Sequence, residues 1–211
     1  RRYRHETGSC DLIIGPMFSG KTTYLGQKVH RSRLAGVTCV IVKHVRDTRY
    51  RTADDDVRGP TIYTHSKHTI STDSATADLA ALTVVEAAKL GDIPDGLITP
   101  TALIAVDEGQ FFPDLVETVD GWMRLGFQVV VAALSGDFLR RPFPQVSALI
   151  PLATKCTTLS AVCMLCDGPR NDATYTLRTV TNTDVELIGA KGMYKSACLT
   201  CYLTHSTHTD D

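Results

Sequence analysis

Long apolar runs are missing from this sequence of 211 residues. The longest, such as Val129 to Leu134, fall far short of the roughly 18 residues that a membrane helix needs. The basic start, Arg1-Arg2-Tyr3-Arg4-His5, is not followed by an apolar stretch of secretory type, so no leader is expected. No excess of one charge is present either. Lys+Arg 22 against Asp+Glu 23 gives a formal charge of -1, which argues against a chain built to grip a phosphate backbone. Internal repeats and low-complexity tracts are absent. The seven cysteines are an odd number, which excludes a complete intramolecular disulfide framework and leads us to expect a cytoplasmic chain.

What remains is an ordinary globular composition. Hydrophobic residues make up 43%, enough for a real core. At roughly 150 residues per domain, the length suits one domain plus a small appendage. Short apolar runs at Leu12–Ile14, Cys39–Val42, Leu103–Val106 and Val129–Leu134 read as buried strands. Lys21–Ala35, Ala75–Leu90 and Pro113–Leu125 read as helices, each followed by glycine. Residues 46–72 read as a polar loop or hairpin, and 93–100 as a connection. This alternation predicts a parallel sheet covered by helices on both faces. The expected boundaries are a mobile tail over 1–9, an α/β domain over 10–154, a metal-binding domain over 155–203 and a frayed end over 204–211.

Gly15-Pro16-Met17-Phe18-Ser19-Gly20-Lys21-Thr22 matches the phosphate-loop pattern Gly-x4-Gly-Lys-Ser/Thr. Glycines let successive backbone N–H groups converge on phosphate oxygens, and the following helix adds its positive end. Lys21 can reach terminal phosphates, and the Thr22 hydroxyl can ligate Mg²⁺. A tight strand–helix turn would not explain the Lys-Thr pair. Such a loop implies an acidic site at a neighbouring strand end, which Asp107 fits. Glu108 is then either a general base for a hydroxyl nucleophile or a plain strand-end acid. Asp47-Thr48-Arg49 follows another predicted strand, and Arg49 is either a phosphate clamp or a solvated loop charge.

Cys163-x-x-Cys166 and Cys198-x-x-Cys201 can complete a closed, structural Zn²⁺ shell. A disulfide pair is the alternative. The 31 residues between them, 167–197, could form a substrate lid held at both ends. A zinc ribbon on nucleic acid is the rival, but Arg170, Arg178, Lys191 and Lys195 are matched by Asp167, Asp172, Asp184 and Glu186. Cys10, Cys39 and Cys156 are most simply small buried hydrophobes.

Taken together, Gly15–Thr22, Asp47-Thr-Arg-Tyr50, Asp107-Glu-Gly-Gln-Phe-Phe-Pro-Asp114, Phe138-Leu-Arg-Arg-Pro-Phe143 and the two cysteine pairs resemble the zinc-containing (type II) thymidine kinases. The resemblance spans residues 10–202. It implies a P-loop (RecA-like) α/β fold, a parallel sheet flanked by helices, with a small zinc-stapled β-rich domain carrying a lasso loop. It implies ATP-dependent phosphorylation of the 5′-hydroxyl of thymidine and deoxyuridine, a homotetramer and feedback inhibition by dTTP. By motif, ATP and Mg²⁺ would be held by Gly15 to Thr22, Asp47, Thr48, Arg49, Asp107, Glu108, Gly109 and Gln110, with Thr22 and Asp107 at the Mg²⁺. Glu108 would be the catalytic base, helped by Lys21 and Arg49. The nucleoside would lie among Met17, Leu134, Phe138, Phe143 and Thr176, under Val185, Glu186, Leu187, Ile188 and Gly189, with Tyr194 beside it. Departures from the family pattern fall at 51–64, 93–100, Leu139–Arg141 and Asp167–Asp172.

Two rivals of other classes stand beside this reading. One is a nucleic-acid-dependent ATPase, which would need a basic stripe. The other is a nucleotide-binding switch without transfer chemistry.

Overall fold

A computed structural model of the chain describes residues 8–46, 62–63, 69–70, 79–98, 102–179 and 193–206. Six strands form one sheet: β1 (Ser9–Gly15), β2 (Cys39–His44), β5 (Leu82–Ala87), β6 (Leu103–Val106), β7 (Gln128–Leu134) and β8 (Lys155–Thr158). Two short strands, β3 (Ile62–Tyr63) and β4 (Thr69–Ile70), pair with each other. The sheet order is β5-β2-β6-β7-β1-β8, and every pairing is parallel.

Its central strands are buried on both faces, as helical crossovers require. Along β7, Val129, Val131 and Ala133 enter one core, while Val130 and Ala132 enter the other. Helix α1 (Lys21–Leu34) covers the second face with Leu25 and Val29. Helices α2 (Leu115–Arg124) and α3 (Pro144–Leu149) cover the first with Leu115, Val119, Trp122, Val146 and Leu149. Fully burying a side chain such as Leu12 or Leu25 contributes roughly 1.5–3 kcal/mol. The two cores together are what hold the strand ends in fixed relative positions.

Two local expectations are corrected. The described part of Ala75–Leu90 is a strand, β5, not a helix. Its Thr83-Val84-Val85 segment pairs in register with Val40-Ile41-Val42, so β-branched fit to a neighbouring strand overrides the alanine-rich helical pattern. Residues 90–97 then form two 3₁₀ turns, Leu90–Asp92 and Asp95–Leu97. The Asp114 carboxylate fixes the first by accepting from the Leu90 and Gly91 N–H groups at 3.0 and 2.8 Å. Finally, Cys156 is exposed rather than buried, because it sits on the edge strand β8. Cys10 and Cys39 are buried as expected.

The tetracysteine module follows the sheet. Strands β9 (Ala161–Val162) and β10 (Asp172–Ala173) pair antiparallel, as do β11 (Tyr175–Arg178) and β12 (Tyr194–Ala197). Helix α4 (Leu199–His205) closes it. Residues 184–188 lie outside the described residues, as do 1–7, 51–61 and 207–211. Ser9 of the expected tail belongs to β1, and Thr204 and His205 of the expected frayed end belong to α4. No helix among the described residues is long and apolar enough to cross a membrane.

Candidate active site and metal centre

Parallel strands gather their carboxyl ends on one side of a sheet, which is where ligands bind. Here β1 ends at Gly15 beside Leu134 of β7, and β6 delivers Asp107 and Glu108 at the same edge. The turn from β1 into α1 is close-packed. A Cβ on Gly15 would stand 2.5 Å from the Leu159 carbonyl oxygen and 2.7 Å from Ser19 Oγ. Phe18 and Gly20 adopt left-handed backbone at φ 67 and 82°. For Phe18 this costs of order 1–3 kcal/mol, strain that a loop keeps where the path of its backbone matters.

The loop's polar groups converge inward. The Lys21 ammonium donates to the Pro16 carbonyl at 2.7 Å, and the Ser19 hydroxyl donates to the same oxygen at 2.8 Å. The Thr22 hydroxyl donates toward both Asp107 carboxylate oxygens at 3.2 Å. Both groups offer hard oxygen donors, the set that suits Mg²⁺. Next along the chain, Glu108 is 8% exposed and held in left-handed backbone, φ 53° and ψ 47°. A cleft opens beside these groups, lined by Met17, Phe18, Gly20, Lys21, Thr22, Thr23, Glu108 and Leu134.

Gln110 turns away from that cleft. Its amide donates to Glu108 Oε2 at 2.5 Å, and its amide oxygen accepts from the Leu134 N–H at 3.0 Å. Gly109 lets this segment lie flat on β7, since a Cβ there would meet Val131 Cγ1 at 2.7 Å. Asp47, Thr48 and Arg49 lie outside the described residues. Their root is placed by His44, whose ring packs against Phe111 and Phe112 at the end of β2.

The residues expected around a nucleoside divide into two groups. Met17 and Thr176 meet directly, the Met17 N–H donating to Thr176 Oγ1 at 3.0 Å. Leu134 lines the cleft. Phe138 is buried beneath Arg178, whose guanidinium carbon stands 3.8 Å from the ring centre. Arg178 also donates to the Tyr194 hydroxyl at 2.6 Å. Sequence reading did not single out Arg178, and only its pairing with Tyr194 across β11 and β12 reveals it. The segment holding Phe138 is a turn set by Asp137, whose carboxylate accepts from the Leu139 and Arg141 N–H groups. Phe143, half-buried, packs on the first core instead. Val185 to Gly189 lie outside the described residues.

Four sulfurs meet in the module. The Sγ atoms of Cys163, Cys166, Cys198 and Cys201 all lie within 4.8 Å of one another. Cys166 Sγ is 3.9 Å from both Cys198 Sγ and Cys201 Sγ. Tetrahedral zinc with Zn–S bonds of about 2.3 Å has sulfur–sulfur edges of about 3.8 Å, so the spacing fits the ion. A disulfide, at about 2.05 Å, does not fit. The Cys198 N–H donates to Cys163 Sγ at 3.3 Å, the kind of support that metal thiolates receive. Burial alone would push the Cys163 thiol up, but N–H groups of Cys198 and Leu165 and the Cys166 and Cys201 thiols bring it down to about 6. Burial and the other three sulfurs push Cys201 up to about 12. A central divalent cation removes that mutual opposition and lets all four ionise.

A turn of phosphate-loop pattern, an acidic pair at the adjoining strand ends and a tetracysteine module on one parallel sheet define an α/β protein of the phosphate-loop class. Comparison with known proteins narrows the class. The thymidine kinase family model matches residues 8–202. Thymidine kinase of raccoon poxvirus is 41% identical over 196 residues, covering 93% of this chain and 97% of that protein. The monkeypox virus enzyme is 41% identical and that of vaccinia virus strain Western Reserve 39%, each over the same share of both chains. The chain therefore belongs to the thymidine kinase family, in its zinc-containing branch, and is a kinase.

Proposed function

We propose that this protein transfers the γ-phosphoryl group of ATP to the 5′-hydroxyl of thymidine, and of deoxyuridine. The observation that carries the proposal is the meeting of Lys21, Thr22 and Glu108 around one cleft, with Asp107 tied to Thr22. Backbone N–H groups of Gly15 to Thr22 receive the triphosphate, and Lys21 exchanges the Pro16 carbonyl for phosphate oxygens. Asp47, Thr48 and Arg49 close over the phosphates, with the Arg49 charge on the group in transfer. Thr22 and Asp107 hold Mg²⁺, which when bound neutralises charge on the phosphates. Glu108 takes the proton of the 5′-hydroxyl as its oxygen bonds to the γ-phosphorus, and the bond to ADP's terminal oxygen breaks. Asp107 to Gly109 border the nucleotide on this side, with Gln110 behind them.

The base lies between Met17, Leu134, Phe138 and Thr176, with Tyr194 and the Val185–Gly189 backbone across it and Phe143 supporting the wall. A flat apolar base suits such walls, and its polar edges suit backbone groups. Zinc on the four cysteines fixes both ends of the covering segment. In this reading the active form is a cytoplasmic homotetramer, and dTTP occupies the site as feedback inhibitor. Incubation with γ-labelled ATP and a panel of nucleosides tests it. Label should pass to thymidine and deoxyuridine; hydrolysis without transfer, or stimulation by DNA, would point to the rival classes.

A further inference from the structure

We infer that Gln110 is a positioning residue for Glu108 rather than a nucleotide contact. The inference rests on Glu108 being the base. Gln110 is 1% exposed, and both ends of its amide are bonded within the protein. The NH₂ end reaches Glu108 Oε2, and the oxygen end accepts from the Leu134 N–H of β7. Its own backbone carbonyl accepts from the Gln145 side chain, at the start of α3. Gln110 is thus anchored to a central strand and a helix, and it presents one donor to the carboxylate.

A glutamate in left-handed backbone has no helix or strand to set its direction. A buried amide that bonds one oxygen of that carboxylate fixes its rotamer. The neighbouring glycine makes this possible, because only a residue without Cβ lets the segment approach Val131 closely enough for Gln110 to reach Leu134. The resulting chain of bonds links base, strand and helix. It also ties the orientation of Glu108 to Leu134, whose side chain lines the cleft. Gln110 itself is not among the residues that line the cleft.

The test compares Gln110→Met, Glu108→Gln and the double variant by steady-state kinetics on the full chain. Gln110→Met keeps the volume and loses both amide functions. We expect kcat to fall by about 10-fold or more, with KM for ATP and for thymidine each within about twofold of the parent. In the Glu108→Gln background the same change should slow turnover by less than about twofold, because the group it serves is already lost. If Gln110→Met does not fold, Gln110→Asn, too short to bridge Glu108 and Leu134, carries the same comparison. A raised KM for ATP with kcat intact would make Gln110 a nucleotide contact. An unchanged kcat, or full additivity in the double variant, would overturn the inference just as firmly. Retained turnover in Glu108→Gln would instead refute the base assignment on which it stands.

Discussion

Thr22 and Asp107 meet across the sheet, the threonine hydroxyl at 3.2 Å from each carboxylate oxygen. One residue opens α1 and the other follows β6, and β7 separates β6 from β1. Two hard oxygen donors from distant parts of the chain are thereby joined beside the Gly15–Thr22 loop, where the proposed function puts Mg²⁺. Thr22→Val keeps the shape and removes the hydroxyl. It should raise the Mg²⁺ concentration needed for half-maximal activity by about 10-fold while leaving zinc content unchanged. Mg²⁺ titration of the initial rate checks this.

Removing zinc should act first on the nucleoside side. Tyr202 of α4 donates its hydroxyl to the Phe138 carbonyl, and Thr176 of β11 receives the Met17 N–H. The module thus holds the Phe138 turn as well as Met17 and Phe18 of the phosphate loop, and in the proposed reading it alone carries the segment that covers the nucleoside. Cys198→Ser, or mild chelation, should raise KM for thymidine several times more than KM for ATP. Equal loss of both, with a collapsed thermal transition, would mean general unfolding.

Arg178 is expected to shape that same pocket. Its guanidinium lies on the Phe138 ring and bonds the Tyr194 hydroxyl. Lysine cannot stack and bond in this way. Arg178→Lys should raise KM for thymidine by about 5–10-fold, with KM for ATP unchanged, a loss near 1–1.4 kcal/mol.

The three cysteines outside the metal centre should differ sharply in reactivity. Burial, with Asp11 and Cys156 nearby, pushes the Cys10 thiol up to about 12, and burial pushes Cys39 up to about 11 despite Arg33. Both remain neutral thiols at pH 8, and neutral thiols are poor nucleophiles. Alkylation of the zinc-loaded protein at that pH should label Cys156 alone among the three, read by peptide mass spectrometry. The same shifts make the fold sensitive to base. An unfolded thiol ionises near 9.0 while the buried ones do not, so stability should fall as pH rises from about 9 toward 11.

The most legible parts of this molecule in the sequence are those whose chemistry leaves few residue choices. The phosphate loop needs its glycines, Lys21 and Thr22 at fixed spacing, and four cysteines in two close pairs have few uses. Their contiguity in the chain made them visible. The buried strands were visible for a different reason, since a strand covered on both faces must be apolar throughout. Edge strands escape that rule. Strand β5 is only half-buried and carries Glu86, so its alanines suggested a helix. Strand β8, Lys-Cys-Thr-Thr, is too polar to display a buried run, and the general tendency of free cysteine to be buried does not hold at Cys156 on this edge. Helix α3 has six residues, too few to display a period. Gln110 and Arg178 were illegible as partners because their bonds join positions 24 and 16 residues away, brought together by the turn after β6 lying on β7 and by the pairing of β11 with β12.

The proposed transfer turns on one carboxylate. Glu108→Gln keeps the size of the side chain and removes its capacity to take a proton. Calorimetric binding of ATP and thymidine should remain within about threefold of the parent, while transfer of label to thymidine falls by about 10²–10⁴. Transfer at the parental rate in that variant, with both ligands bound, would contradict it.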